Sequence, residues 1–119
     1  KTKKIVISDR FTDSTYAYQV VASKIDRKIN LINQKYILGN LKPHLTIVLK
    51  ANFKTILGRI KKRKKNNKFD KLKTIFYKKA QNAFLYLAKK NNSHIVFDSS
   101  KNTPELEKKI LLIVLKKIN

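Results

Sequence analysis

Residues 8–19 read SDRFTDSTYAYQ and directly follow the apolar residues Ile5, Val6 and Ile7. They contain two of the seven acidic residues in a chain whose formal net charge is +22. A carboxylate, a guanidinium, several hydroxyl groups and an amide are thus gathered where an apolar strand is predicted to end. Because ligands of open α/β sheets bind beyond the carboxyl ends of the strands, the stretch predicts a strand-to-helix turn that carries a binding site.

The composition limits the protein class. With 119 residues and 42% hydrophobic content, the chain is expected to form one modest domain. No apolar run is long enough to cross a bilayer, so we expect a cytoplasmic protein without a membrane partner. The chain has no cysteine and two histidines, which excludes disulfides and argues against a zinc site. His44 and His94 are therefore predicted to be structural or surface residues.

The high positive charge suggests a polyanionic partner, but the kind of basic residue argues against dedicated nucleic-acid binding. The chain has 29 basic residues, and only Arg10, Arg27, Arg59 and Arg63 are arginine. Proteins that recognise bases and phosphates favour the bidentate guanidinium of arginine. Lysine, asparagine and isoleucine are also the residues that AT-rich codons specify, so base composition can account for the charge.

Short apolar strands alternate with amphipathic helices along the chain. We predict buried strands at residues 4–8, 45–49 and 94–97, and helices at 13–24, 25–37, 53–65, 69–90 and from Thr103 to the C-terminus. Asp13 or Ser14 is expected to cap the first helix, Gly39 to end the second, and Thr103 to cap the last, with Pro104 after it. Strands that alternate with helices pair in parallel, so the predicted fold is α/β.

Individual side chains near the first turn suit a nucleotide ligand. Arg10 could bind a phosphate bidentately, and Asp9 could orient a magnesium-bound water. Thr15 or Gln19 could hydrogen-bond to a base edge, and Tyr18 could form a flat wall of the site.

The same residues also allow a purely structural interpretation. Asp9 and Arg10 would then form a local ion pair, and Tyr16 and Tyr18 would be aromatic residues of the core. The residue types alone leave both interpretations open.

Four stretches resemble one enzyme family in the family's order. Residues 9–19, DRFTDSTYAYQ, resemble the "DR(Y/F)xxSxxAYQ" signature of thymidylate kinases, the P-loop enzymes that phosphorylate dTMP with ATP. The other three are KPHLTIVLKANFKTILGRIKKR at 42–63, NKFDKLKTIFYKKAQNAFLYLAKK at 67–90 and HIVFDSSKNTPELEKKI at 94–110. The resemblance covers nearly the whole chain and implies part of a P-loop kinase-type parallel sheet flanked by helices.

The resemblance also implies a dTMP site in the signature segment, which we define as residues 9–19. Arg10 would bind the dTMP phosphate, with Asp9 beside it near the magnesium ion. Thr15 would contact the thymine edge, Tyr18 would pack under the sugar, and Gln19 would complete the monophosphate pocket. Ser14 is included among the dTMP-binding residues.

A basic lid over ATP is implied at about residues 61–70, with Arg59, Arg63 and Lys68 as its nucleotide contacts. The catalytic residues would be Asp9, Arg10 and Arg63, with Mg²⁺ as cofactor and no direct metal ligand in the chain. The resemblance implies a homodimer for the full-length enzyme, with dTMP and ATP as ligands and no nucleic acid.

Departures from the family pattern also predict function. No G-x-x-x-x-G-K-[ST] motif occurs, and the only glycines are Gly39 and Gly58. Residues 20–22 (Val-Val-Ala) replace a glycine-rich stretch, and Lys50 stands where the family has aspartate. We therefore expect a single partial domain, residues 1–119, that retains three strands, lacks the first two together with the P-loop, and is inactive alone.

Two other functions remain open at the level of sequence. A related P-loop kinase with a different nucleoside or nucleotide acceptor would share most of these motifs. A lysine-rich nucleic-acid-binding module would show a steep dependence of DNA affinity on salt.

Overall fold

A computed structural model describes residues 4–63 and 71–119 of the chain. The elements run in the order α1 (Thr12–Ser14), a π-helix (Thr15–Ala22), α2 (Arg27–Leu38), β1 (Thr46–Lys50), α3 (Phe53–Arg63), α4 (Lys71–Lys90), β2 (His94–Asp98) and α5 (Pro104–Ile118). Strands alternate with helices, which confirms the α/β class predicted from the sequence.

The sheet that the structure describes consists of β1 and β2. The two strands are parallel, and their register pairs Thr46 with His94 and Lys50 with Asp98. The connection between them includes α3 and α4, as a parallel pair requires a long crossover. Their carboxyl ends therefore lie side by side, and the polar residues after each strand meet there.

The core lies between the π-helix and α4. Ala17 is fully buried, and Ala80 and Ala83 of α4 are 2% and 5% exposed. Small side chains at these positions allow the two helices to approach closely. Partly buried apolar side chains pack around this centre: Tyr16, Tyr18, Val21, Ala22 and Phe84. Since α4 also contacts both strands, it joins the signature segment to the sheet.

The prediction of three buried strands is wrong for the described residues, because residues 4–8 do not form a strand. Ile5, Val6 and Ile7 are 63%, 87% and 88% exposed. An apolar extended segment becomes a strand only when a neighbouring strand accepts its hydrogen bonds, and no strand pairs with residues 4–8 in the described part of the chain.

The first helix also differs from the prediction. It begins at Thr12 after Phe11, which provides no side-chain cap, so neither Asp13 nor Ser14 is the cap. From Thr15 the segment is a π-helix instead of an α-helix, and it ends at Ala22. The Asp13 carboxylate bonds to a distant side chain, His94, instead of to the helix N-terminus.

The boundaries of the second and last long helices, α2 and α5, agree with the predicted ones to within two residues. Asp26 caps α2 by accepting hydrogen bonds from the N–H groups of Lys28 and Ile29, and Gly39 follows its end with φ of 56°. That backbone conformation favours glycine. Thr103 caps α5 by accepting from the Leu106 N–H at 3.3 Å, directly before Pro104.

The remaining elements agree with the prediction to within a few residues. The strand predicted at 45–49 is Thr46–Lys50, and its Leu49 is 55% exposed instead of buried. The predicted ends of α3 and α4 around residues 64–70 lie outside the described residues. Within the parts of the chain that are described, no helix combines the length and the hydropathy needed to cross a membrane.

Candidate functional site

The signature segment begins with a tight turn and continues into the wider π-helix, which ends beyond the segment at Ala22. The Ser14 N–H donates to the Phe11 carbonyl at 3.0 Å at its start. At the end of the π-helix, the N–H and the hydroxyl of Ser23 both donate to the Tyr18 carbonyl, five residues back. Lys24 follows with φ of 59°, an unusual conformation for a residue with a side chain. Wide π-helical turns occur frequently at functional sites.

The wide turn separates side chains that an α-helix would place together. Thr15 and Gln19 line a cleft of about 500 Å³ between the π-helix and α2. Tyr18 faces α4, where its ring lies 5.8 Å from the ring centroids of both Phe76 and Phe84. In an α-helix Thr15 and Tyr18, three residues apart, would share a face, but the structure places them on different surfaces.

Arg10 and Tyr18 contact each other directly. The Arg10 guanidinium lies over the Tyr18 ring, 5.3 Å from its centroid. Within residues 4–63 and 71–119, no ion pair joins Asp9 to Arg10. Both charged side chains are exposed, so the guanidinium and the carboxylate remain accessible to a ligand.

A short hydrogen bond between two side chains fixes the start of this helix against the sheet. Asp13 Oδ2 and His94 Nε2 are 2.6 Å apart, and their side chains are 24% and 8% exposed, respectively. The other ring nitrogen, Nδ1, lies 3.2 Å from the Ser93 hydroxyl. The order Ser, His, Asp is that of a nucleophilic triad, but Ser93 lines neither the cleft of about 500 Å³ nor the one of about 530 Å³. The pair is therefore assigned a structural role, as expected for His94.

The residues after the two strands form a second polar group. Ser99 N–H donates to the Lys50 carbonyl at 2.7 Å, and Asn52 N–H donates to the Ser100 hydroxyl at 2.7 Å. The Ser100 hydroxyl and N–H both donate to the Asp98 carboxylate, which holds the pKa of Asp98 below its usual range, and Lys50 has a smaller effect in the same direction. This region borders a cleft of about 530 Å³ that Asp98, Ser100 and Lys101 help to line.

Two side chains from the helices complete this region. The Gln81 carboxamide accepts from the Ala51 N–H at 3.1 Å and donates to the Ala51 carbonyl at 3.0 Å. Arg59 donates to the Ser99 carbonyl at 2.6 Å, so this predicted ATP contact holds α3 against the turn after β2.

The other predicted site residues occupy separate places. Ser14 is half-buried at the junction of α1 and the π-helix, and Arg63 is exposed at the end of α3. Lys68 and most of the predicted lid lie outside the described residues. Among the residues that are described, no three His, Asp or Glu side chains gather into a group that could hold a metal ion.

Sequence reasoning missed the contacts that join distant parts of the chain. Nothing in the sequence pairs Asp13 with His94, which are 81 positions apart, or Gln81 with Ala51, which are 30 apart. A signal for the strand-end region did exist, because Asn52, Ser99 and Ser100 come two or three residues after the predicted strand ends at 49 and 97.

Comparison with known proteins agrees with the motif resemblance. Residues 1–110 match the thymidylate kinase family. A thymidylate kinase of Kosmotoga olearia is 27% identical, and the match covers 99% of this chain and 59% of that protein. Those of Mycoplasma capricolum and Ligilactobacillus salivarius are 34% and 36% identical, over 96% and 83% of this chain and 55% and 49% of their own length.

The chain therefore spans about half the length of the curated relatives it matches. The signature segment, both strands and the first half of α5 fall within the matched residues 1–110. Because the match extends over most of the sequence, this chain belongs to the thymidylate kinase family.

Proposed function

We propose that this chain supplies the acceptor-binding part of a thymidylate kinase, which transfers a phosphoryl group from ATP to dTMP. The observation that carries the proposal is the signature segment folded as a π-helix, with Thr15 and Gln19 lining one cleft. Phe11 lines the same cleft. Its neighbour Arg10 is exposed, so the Arg10 guanidinium is accessible to a ligand.

The proposed mechanism relies on position and charge. Arg10 would bind the dTMP phosphate through charge-assisted hydrogen bonds, and Thr15 would contact the base. Phosphoryl transfer requires little covalent chemistry from the protein, so orientation and cationic stabilisation account for the expected catalysis. Arg63, exposed at the end of α3, is proposed to stabilise charge on the transferred group.

The donor groups of this chain fit a magnesium ion that arrives with nucleotide phosphates. Mg²⁺ keeps several waters and needs only one or two carboxylates from the protein. Asp9 is an exposed carboxylate beside Arg10 and could hold one of those waters. Bound there, the ion would supply neutralisation of phosphate charge.

Full activity is proposed to require a phosphate-binding loop in addition to residues 1–119. The sequence has no G-x-x-x-x-G-K-[ST] motif, and its two glycines are far apart. We expect the 119-residue chain alone to bind dTMP but to show no turnover with ATP and Mg²⁺. Turnover above background by the purified chain would contradict this part of the proposal.

Calorimetric titration of the chain with dTMP tests the acceptor site. Arg10→Ala should weaken dTMP binding roughly 10- to 100-fold, because charge-assisted hydrogen bonds to the phosphate are lost. Arg27→Ala is the matched control, since Arg27 lies over the Tyr16 ring at 5.8 Å much as Arg10 lies over Tyr18. Equal losses of affinity in both variants would mean that Arg10 acts only through the net positive charge of the chain, which would contradict the proposal.

A further inference from the structure

A row of ring contacts joins α4 to the Arg10 guanidinium. The guanidinium lies over the Tyr18 ring, 5.3 Å from its centroid. The Tyr18 ring is stacked on Phe76 of α4, with the two centroids 5.8 Å apart and the ring planes 26° from parallel. Phe84, also on α4, meets the Tyr18 ring edge-on at the same distance. Two side chains of α4 therefore hold the ring on which Arg10 lies.

The two phenylalanines bracket the Tyr18 ring, but their contacts differ. They are eight residues apart on α4, which is about 12 Å along a helix axis, so a ring 5.8 Å from both lies between them. Phe84 packs against the buried alanine core of Ala17, Ala80 and Ala83. Phe76 lies outside that cluster and is half-buried. Its stacked contact therefore bears on the plane of the Tyr18 ring more than on the core.

The Tyr18 ring is important for Arg10 because little else fixes this side chain. The backbone carbonyl of Arg10 accepts a hydrogen bond from the Ser8 hydroxyl at 2.6 Å. Its guanidinium forms no hydrogen bond or ion pair with any group in residues 4–63 or 71–119. A long side chain without fixed contacts has to be ordered by its ligand, and this ordering costs affinity.

We propose that Phe76 is a positioning residue for Arg10. By stacking on Tyr18 it fixes the ring that supports the guanidinium, and so orders the guanidinium before an anion binds. An ordered guanidinium loses less side-chain entropy when it pairs bidentately with a phosphate. The identity of the anion as dTMP rests on the proposed function, whereas the placement of the guanidinium rests on the ring contacts alone.

The placement of the guanidinium can be measured by NMR without any ligand. The chain has four arginines, so the spectrum of their Nε–H groups contains four signals. A group above an aromatic ring is shielded by the ring current. In Phe76→Leu the Arg10 signal should move toward that of the exposed Arg63, whereas the signal of Arg27, which lies over the Tyr16 ring, should stay in place. Phe76→Tyr keeps a ring and should leave both signals unchanged.

Calorimetric titration with dTMP measures the consequence for binding. Phe76→Leu should weaken dTMP binding about 3- to 10-fold, because the ligand must then order one long side chain. Phe76→Tyr should keep the affinity of the unchanged chain. In an Arg10→Ala background, Phe76→Leu should have no further effect, since its route to the ligand is gone. A general role in stability would instead weaken binding by the same factor in both backgrounds.

Phe76→Met, which also lacks a ring, repeats both measurements if Phe76→Leu does not fold. The inference is overturned if the loss of the Phe76 ring leaves the Arg10 signal in place. It is also overturned if the ringless variant weakens dTMP binding equally in both backgrounds, or keeps full affinity although Arg10→Ala loses it.

These outcomes are distinct from failure of the proposed function. If Arg10→Ala leaves dTMP affinity unchanged while Phe76→Leu shifts the Arg10 signal, the kinase proposal fails and the positioning of the guanidinium stands. If Arg10→Ala weakens binding while Phe76→Leu changes neither the signal nor the affinity, the kinase proposal stands and Phe76 is only a packing residue.

Discussion

Two apolar stretches precede polar turns, residues 4–8 and β1. Their sequences are similar, but only β1 forms a strand. Val48 in β1 is 8% exposed, whereas Val6 is 87% exposed. β1 pairs with β2, its last residue Lys50 accepts a hydrogen bond from Ser99, and the next two residues bond to Gln81 and Ser100. Residues 4–8 form no strand. Apolar sequence therefore makes a segment capable of forming a strand, and hydrogen-bond partners decide whether it does.

The comparison also shows what can replace a strand neighbour. Ala51, directly after β1, is 7% exposed, and the Gln81 side chain satisfies both its backbone N–H and its carbonyl. A carboxamide has the same donor and acceptor groups as a peptide unit. The Gln81 side chain of α4 therefore makes, at Ala51, the two hydrogen bonds that a neighbouring strand would make. Residues 4–8 receive no such side-chain contact from the part of the chain that the structure describes.

The largest effect is expected at Gln81. Gln81→Ala should lower the free energy of unfolding by about 2–3 kcal/mol, since it leaves two buried backbone groups of Ala51 unpaired. Urea denaturation measures the loss. Asn82→Ala, at the exposed next position of α4, is the control and should change the value by less than about 0.5 kcal/mol. Similar values for the two variants would show that the carboxamide does not replace a strand neighbour.

An intermediate effect is expected for the Asp13–His94 contact that fixes the signature segment. A double-mutant cycle with Asp13→Asn and His94→Gln should give a coupling free energy of about 1–2 kcal/mol, because the contact is short and half-buried. His44→Gln changes an exposed histidine and should show no coupling with Asp13→Asn. A coupling of zero for His94 would mean that packing on α4 alone positions the segment.

The smallest effect is expected in the unpaired stretch. Val6→Ser should change the free energy of unfolding by less than about 0.5 kcal/mol, because the side chain is already exposed to solvent. Val48→Ser in β1 is the matched variant and should cost far more, since it places a hydroxyl in a buried position. Equal costs would demonstrate that residues 4–8 pair with a strand in solution.

The local parts of the fold were predictable from sequence because local chemistry determines them. The Thr103 cap before Pro104, the helix end at Gly39 and the two parallel strands all follow from propensity and spacing. The family resemblance also identified Thr15 and Gln19, which do share a cleft.

The parts that were not predictable depend on contacts between distant residues. Asp13 was expected to cap a helix, but its carboxylate bonds to His94, which is 81 positions away in the sequence. The π-helical form moved Tyr18 away from Thr15, and no residue pattern distinguishes π from α spacing over eight residues. The burial of Asn30 on α2 was not predicted either, since burial on one helix depends on what packs against it.

The π-helix also makes the spacing of the chain, and not only its side chains, a determinant of the site. In a π-helix each N–H bonds five residues back, so a turn contains more residues than an α-helical turn. Deleting one residue between Thr15 and Ala22 would permit ordinary α-helical bonding and would rotate every side chain after the deletion. With the deletion placed after Gln19, Tyr18 would turn from α4 toward the face that holds Thr15, because α-helical residues three apart share a face, although no atom of either residue had changed. In alignments of related sequences, a gap in this segment would therefore mark a rearranged site more reliably than a substitution would.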